Sequence, residues 1–139
     1  MEHSKGRSSH NLSVTLSVLV ILVGCRHAER DLAGAYKLTF TSGDIVRIWR
    51  PDRQADHSLS VMLPGNVKRF AVRAPYITGY ADTEHLDLSD EPSLRSGYFL
   101  IDTKNDEIVA YGMDENQWRR ELERIGWKNP ALKKPSVWF

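Results

Sequence analysis

Cys25 is the only cysteine in the chain, and it falls where an uncharged run, Leu12 to Val23, gives way to polar residues. A thiolate is the nucleophile of cysteine chemistry, so this position is the first candidate for covalent modification. One cysteine closes no intrachain disulfide and builds no multi-cysteine metal site. The imidazoles beyond it are His27, His57 and His85. His57 shares a polar stretch with Asp52 and Asp56, and His85 sits in Asp82-Thr83-Glu84-His85-Leu86-Asp87. Imidazole and carboxylate together can hold a divalent metal, but no H-x-x-x-H spacing accompanies them, so no metal ligand and no cofactor is assigned. No G-x-S-x-G marks a nucleophilic serine. Gly97, Gly112 and Gly126 are isolated and form no phosphate-binding loop. Asp102 and Asp106 flank one turn and could act as an acid/base pair, yet aspartates at turns ordinarily bond the local backbone. No catalytic residue is therefore assigned. Lys68, Arg69 and Arg73, interleaved with Phe70 and Tyr76, read as a solvated strand face. Anionic lipid headgroups or a cell-wall polymer are the functional alternative for that run.

The whole-chain balance narrows the field further. A length of 139 residues allows one domain. With 41% hydrophobic and 27% charged residues, the chain is neither disordered nor collagen-like. Lys and Arg number 19 against 18 Asp and Glu. That near-balance removes the electrostatic case for nucleic acid, which needs a clear basic excess.

The first 25 residues have three parts: Lys5 and Arg7 among polar residues, the apolar run LSVTLSVLVILV, and the junction Gly24-Cys25. This is the layout of a secretory signal peptide. Twelve helical residues reach roughly 18 Å, short of about 30 Å of bilayer hydrocarbon, so the run is not a comfortable transmembrane anchor. Leu22-Val23-Gly24-Cys25 resembles the lipobox of bacterial lipoproteins. The resemblance implies cleavage between Gly24 and Cys25, diacylglycerol on the Cys25 thiol, and an acylated new amino terminus. It thus implies membrane attachment through a palmitate-type lipid anchor, which is stable with two or three chains and marginal with one. Loss of Lys5, Arg7 and Glu2 with the signal would leave 115 residues carrying 17 basic and 17 acidic side chains. Arg26 stands where Gram-negative lipoproteins retained in the inner membrane often have Asp, so for a Gram-negative source the resemblance favours the outer membrane, facing the periplasm; a Gram-positive source would leave only a lipid-anchored, extracytoplasmic place in the envelope.

Downstream, residues 26–33 are mostly polar and read as a flexible tether behind the lipidated Cys25, with the fold beginning at Gly34. A chain starting at Gly34 should then fold as stably as one starting at Arg26. Alternating segments predict strands over 35–40, 45–50, 59–63, 67–73 and 76–81. Pro51 ends the second, and Pro64-Gly65-Asn66 marks a turn. Residues 82–96 read as an acidic loop. GYFLIDTKNDEIVAYG (97–112) predicts a hairpin, with Tyr98, Leu100 and Asp102 on one face and Phe99 and Ile101 on the other. A helix follows, with Asp114 as N-cap, Gln117 completing a capping box, and Met113 with Trp118 as a hydrophobic staple. Trp118, Leu122 and Ile125 make one apolar stripe, and Gly126 suits the left-handed position after the helix. Trp49 and Trp118 fall at core-patterned positions. Trp138-Phe139 does not, and either docks or serves a partner. A terminal Phe also resembles the end of an outer-membrane barrel strand, but the lipobox, the length, Pro130 and Pro135 argue against a barrel.

The predicted fold is α+β: one small antiparallel sheet of five to seven strands, with one C-terminal amphipathic helix packed on it. The predicted organisation is a signal peptide over 1–24, lipidated cysteine and tether over 25–33, the α+β domain over 34–127 and an irregular tail over 128–139. The order lipobox, GAYKL strand, VKRFAVRAPYITGYAD segment, YFLID hairpin and terminal helix is similar to small bacterial lipoproteins of unknown function with a YFIID-type hairpin. Tyr111-Gly112-Met113 departs from that family's Tyr-Gly-Pro-like ending. The resemblance implies a fold and a compartment, and brings no catalytic residue. The expected role is a non-enzymatic binding or accessory protein of the envelope (inhibitor, immunity factor or assembly partner), with an envelope protein as its partner. A small hydrolase with its site in the 82–96 loop is the alternative.

Overall fold

A computed structural model describes residues 28–41, 44–51, 60–84 and 94–136. They form β1 (Ala28–Asp31), β2 (Lys37–Thr41), β3 (Ile45–Pro51), β4 (Ser60–Met62), β5 (Asn66–Arg73), β6 (Tyr76–Asp82), β7 (Gly97–Asp102), β8 (Glu107–Met113) and α1 (Glu115–Arg124). The fold is α+β, with antiparallel pairing throughout and one C-terminal helix. The expected single sheet of five to seven strands is corrected. The described strands form two four-stranded sheets, β1-β2-β3-β4 and β5-β6-β7-β8.

The reason lies in β7, which is apolar on both faces. Phe99 and Ile101 face one way and Leu100 the other, as alternation requires, and all three are fully buried. A strand buried on both faces needs a layer on each side. The helix supplies one, packing Trp118, Leu122 and Trp127 over Leu100 and Met113. The first sheet supplies the other, packing Tyr36, Leu38, Val46 and Ile48 over Ile77, Ala81, Phe99 and Ile101. Gly79 on β6 lies beneath this second contact. A Cβ there would stand 2.8 Å from the Phe99 ring and collide with the Arg69 carbonyl oxygen, so no larger residue fits without backbone movement.

The tether assignment is also corrected. Ala28 to Asp31 pair in full register with Phe40 to Lys37, and Leu32 and Ala33 pack against the main core. A tight turn follows, in which the Leu32 amide donates to the Tyr36 carbonyl at 3.0 Å and the Tyr36 amide to the Ala33 carbonyl at 3.1 Å. Polar composition hides an edge strand because such a strand is held by its partner's backbone ladder rather than by burial of its own side chains. Glu29, Arg30 and Asp31 are exposed accordingly. Trp49 needs a smaller revision. Val46 and Ile48 take the inward positions of β3, so Trp49 lies half-buried on the outer face, where its indole donates to the Thr39 hydroxyl.

The helix forms as its sequence dictates. The Gln117 amide donates to Asp114 Oδ1 at 2.8 Å, and the Asp114 amide to Gln117 Oε1 at 3.0 Å. Gly126 adopts φ +68°, and the Trp127 amide then returns to the Leu122 carbonyl at 2.8 Å. Trp118 ties helix to sheet. Its ring stacks on Tyr98 with centroids 4.2 Å apart, and its indole donates to Thr78 Oγ1 at 2.8 Å. The tail over 128–136 adds no further helix or strand, but Phe70 and Lys133 exchange both backbone hydrogen bonds at 2.9 Å, which covers part of the β5 edge. Among the described residues no helix is long and apolar enough to cross a membrane.

Two outcomes are expected. Trp118→Ala should cost about 3–5 kcal/mol in chemical denaturation, because it removes a buried aromatic and the indole hydrogen bond to Thr78. A chain starting at Gly34 should unfold at a lower denaturant midpoint than one starting at Arg26, since it lacks β1 and the Leu32 contact. Equal midpoints would return β1 to the role of a spacer.

Candidate functional site

Gly24, Cys25, His27, Asp52, Asp56, His57, His85, Asp87, Trp138 and Phe139 lie outside the described residues. The remaining sequence candidates separate into different environments. The Asp82 carboxylate organises the end of β6: Oδ1 accepts the Glu84 amide at 2.7 Å and the Ser96 hydroxyl at 3.4 Å, while Oδ2 stands 3.6 Å from Lys68 Nζ. Asp102 caps its own turn, accepting the Lys104 and Asn105 amides at 2.9 and 3.2 Å. Asp106 turns away with φ +54° and sets Oδ1 3.9 Å from Arg50 Nε. Asp102 and Asp106 are thus engaged separately and share no reacting position. Among the described residues no three His, Cys, Asp or Glu side chains converge as a metal site would require.

The basic run is redistributed by one local irregularity. Val67 pairs with Ala81 and Arg69 with Tyr80, so Lys68 is the extra residue of a β-bulge. Val67 and Phe70 keep their buried positions, and Lys68 and Arg69 both turn outward. Arg73 has a different task. Its guanidinium lies 4.8 Å from the centre of the Trp127 ring and donates to the Gly126 and Ile125 carbonyls at 3.2 and 3.4 Å. A cation there completes the carbonyl-rich helix end.

Lys68 and Arg69 meet residues remote in sequence. They line a groove of about 590 Å³ with Phe40, Asp44, Val46, Asn66, Val67, Lys134 and Pro135. Buried Asn66 joins the two sheets at this groove: its Oδ1 accepts the Val46 amide at 2.9 Å, and its Nδ2 donates to the Asp44 carbonyl at 3.4 Å. The Phe70–Lys133 bridge brings Lys134 beside the same strand. Sequence reasoning found Lys68 and Arg69 but missed Lys134, Asn66 and Phe40. The Lys133-Lys134 pair is visible in the tail, but no local pattern joins that tail to β5. Three basic side chains and one acidic one, above an aromatic and a proline, can hold an anionic group.

The opposite end of the sandwich is polar and tightly packed. Tyr36 is 2% exposed, and its hydroxyl has no hydrogen-bond partner among the described residues. The Arg50 guanidinium lies 5.9 Å from its ring centre. Burial pushes the Tyr36 phenol above its ordinary range, and Arg50 partly offsets this. At the Asn66 end, beside Gly65, the Tyr111 phenol is raised too, first by burial and then by Asp82. A phenol raised in the folded state contributes stability that is fully present below its unfolded pKa and lost as pH rises through the folded one. Stability should therefore fall in the alkaline range above the ordinary tyrosine pKa. Tyr36→Phe and Tyr111→Phe, which remove hydroxyls without a hydrogen-bond partner among the described residues, should each blunt that fall while changing neutral-pH stability little. Denaturation midpoints across alkaline pH check this, and an unchanged alkaline slope in both variants would refute it.

Protein-family models, curated proteins and solved structures give no match to this chain.

Proposed function

We propose that this chain is a small bacterial envelope lipoprotein, cleaved behind Gly24 and acylated on Cys25, whose domain serves as a non-enzymatic binding or accessory module. The observation that carries the reading is the start of the fold. β1 begins at Ala28, three residues after the only cysteine. An apolar run, a small residue, a lone cysteine and then at once a structured edge strand are the order expected of a domain held at a membrane by its first residue. In a Gram-negative envelope Arg26 favours the outer membrane, with the domain facing the periplasm. Asp102, weighed in the sequence as half of an acid/base pair, serves its own turn, and Asp82 and Asp114 serve a strand end and the helix cap. That engagement fits a module that acts by contact with an envelope protein.

Cys25→Ser tests the reading. In cells it should abolish labelling by a clickable palmitate analogue and leave the unprocessed chain, which migrates more slowly than the parent. Normal processing and retained labelling would sink the proposal.

A further inference from the structure

The geometry points to the groove around Lys68, Arg69 and Lys134 as a docking site for anionic phospholipid headgroups of the membrane that holds the protein. This inference rests on the anchoring at Cys25 proposed above and says how the domain lies once anchored.

The first argument is placement. Ala28 pairs directly with Phe40, and Phe40 lines the groove. Three extended residues from Cys25 to Ala28 span at most about 11 Å, and paired strand residues lie roughly 5 Å apart. A lipidated Cys25 would therefore hold Phe40 within about 16 Å of the acyl attachment point. The opposite end of the sandwich, where the Lys104 turn lies, cannot take this position.

The second argument is charge. The bulge at Lys68 turns two consecutive basic side chains outward at the strand end nearest the anchor, and the tail adds Lys134 beside them. Arg69 and Lys134 are both exposed. Guanidinium and ammonium groups at this height face the phosphates of the leaflet. The Phe40 ring and Pro135 give the groove an apolar floor suited to the glycerol portion of a lipid. Arg73, spent on the helix end, takes no part.

The test uses the full chain carrying Cys25→Ser, so that no acyl chain masks the groove. Its partition onto phosphatidylcholine vesicles is measured with and without phosphatidylglycerol. Each basic residue close to an anionic surface is worth about fivefold in partition. Arg69→Gln with Lys134→Gln should lower the preference for phosphatidylglycerol by about 25-fold. Lys104→Gln with Lys128→Gln removes the same charge from exposed positions away from the groove and should leave the preference nearly unchanged. Lys5 and Arg7 are common to all three chains, so their contribution cancels. Unchanged denaturation midpoints establish that each variant is folded. Equal losses in the two double variants, or no loss in the groove variant, would overturn the inference. Palmitate labelling of the parent chain reads the anchor separately. An acylated parent without a groove effect removes this proposal alone, and a groove effect in a chain that is never acylated removes the anchor alone.

Discussion

Phe99 and Leu100 are neighbours in the chain and are fully buried on opposite faces of β7. Neither face can be left to water, since each fully exposed residue of this size would forfeit about 2–3 kcal/mol of burial. The fold is the solution to that constraint, with a second sheet on one side and a helix on the other. Thr78 sits at the junction. Its hydroxyl donates to the Phe99 carbonyl at 2.7 Å and accepts the Trp118 indole at 2.8 Å. One buried hydroxyl thereby satisfies a backbone oxygen and a side-chain donor at once, and fixes where the helix stands on the sheet.

The two ends of the sandwich carry different chemistry. At one end Tyr36, Arg50 and Asp106 pack together, and the Tyr36 phenol has no hydrogen-bond partner among the described residues. A hydrogen bond links Arg50 to the β7–β8 turn here, from its guanidinium to the Asp106 carbonyl at 3.4 Å. At the other end Asn66 joins the sheets through the Val46 amide, and the irregularity in β5 pushes Lys68 and Arg69 outward. A bulge costs regular pairing at one residue and turns a side chain that strict alternation would direct inward. Here it is a charged one.

β1 links these features to the proposed anchor. An edge strand with exposed backbone is an aggregation hazard unless it is short, charged or covered. β1 is four residues long and carries Glu29, Arg30 and Asp31. Lys37 meets Asp31 at 2.9 Å across the pair, although so exposed a contact adds little stability. A membrane anchor just ahead of such a strand restrains the domain in orientation as well as in distance, which a polymeric tether would not do.

The amino-acid sequence alone determined the elements whose stability is local. The helix Glu115–Arg124 and its flanking caps were legible because cap, staple, stripe and terminal glycine all lie within a few residues of one another. The two faces of Phe99–Ile101 and Leu100 were legible for the same reason, since alternation is a property of a single strand. Tertiary structure decided what those faces meet. That β7 is covered by a second sheet, that the polar stretch Ala28–Asp31 is an edge strand, and that Trp49 faces outward all depend on partners distant in the chain. The candidate groove divides in the same way. Lys68 and Arg69 stood out as a basic run, but Lys134 joins them only through the backbone bridge between Lys133 and Phe70, a contact made by carbonyl and amide groups that every residue carries and no sequence pattern records.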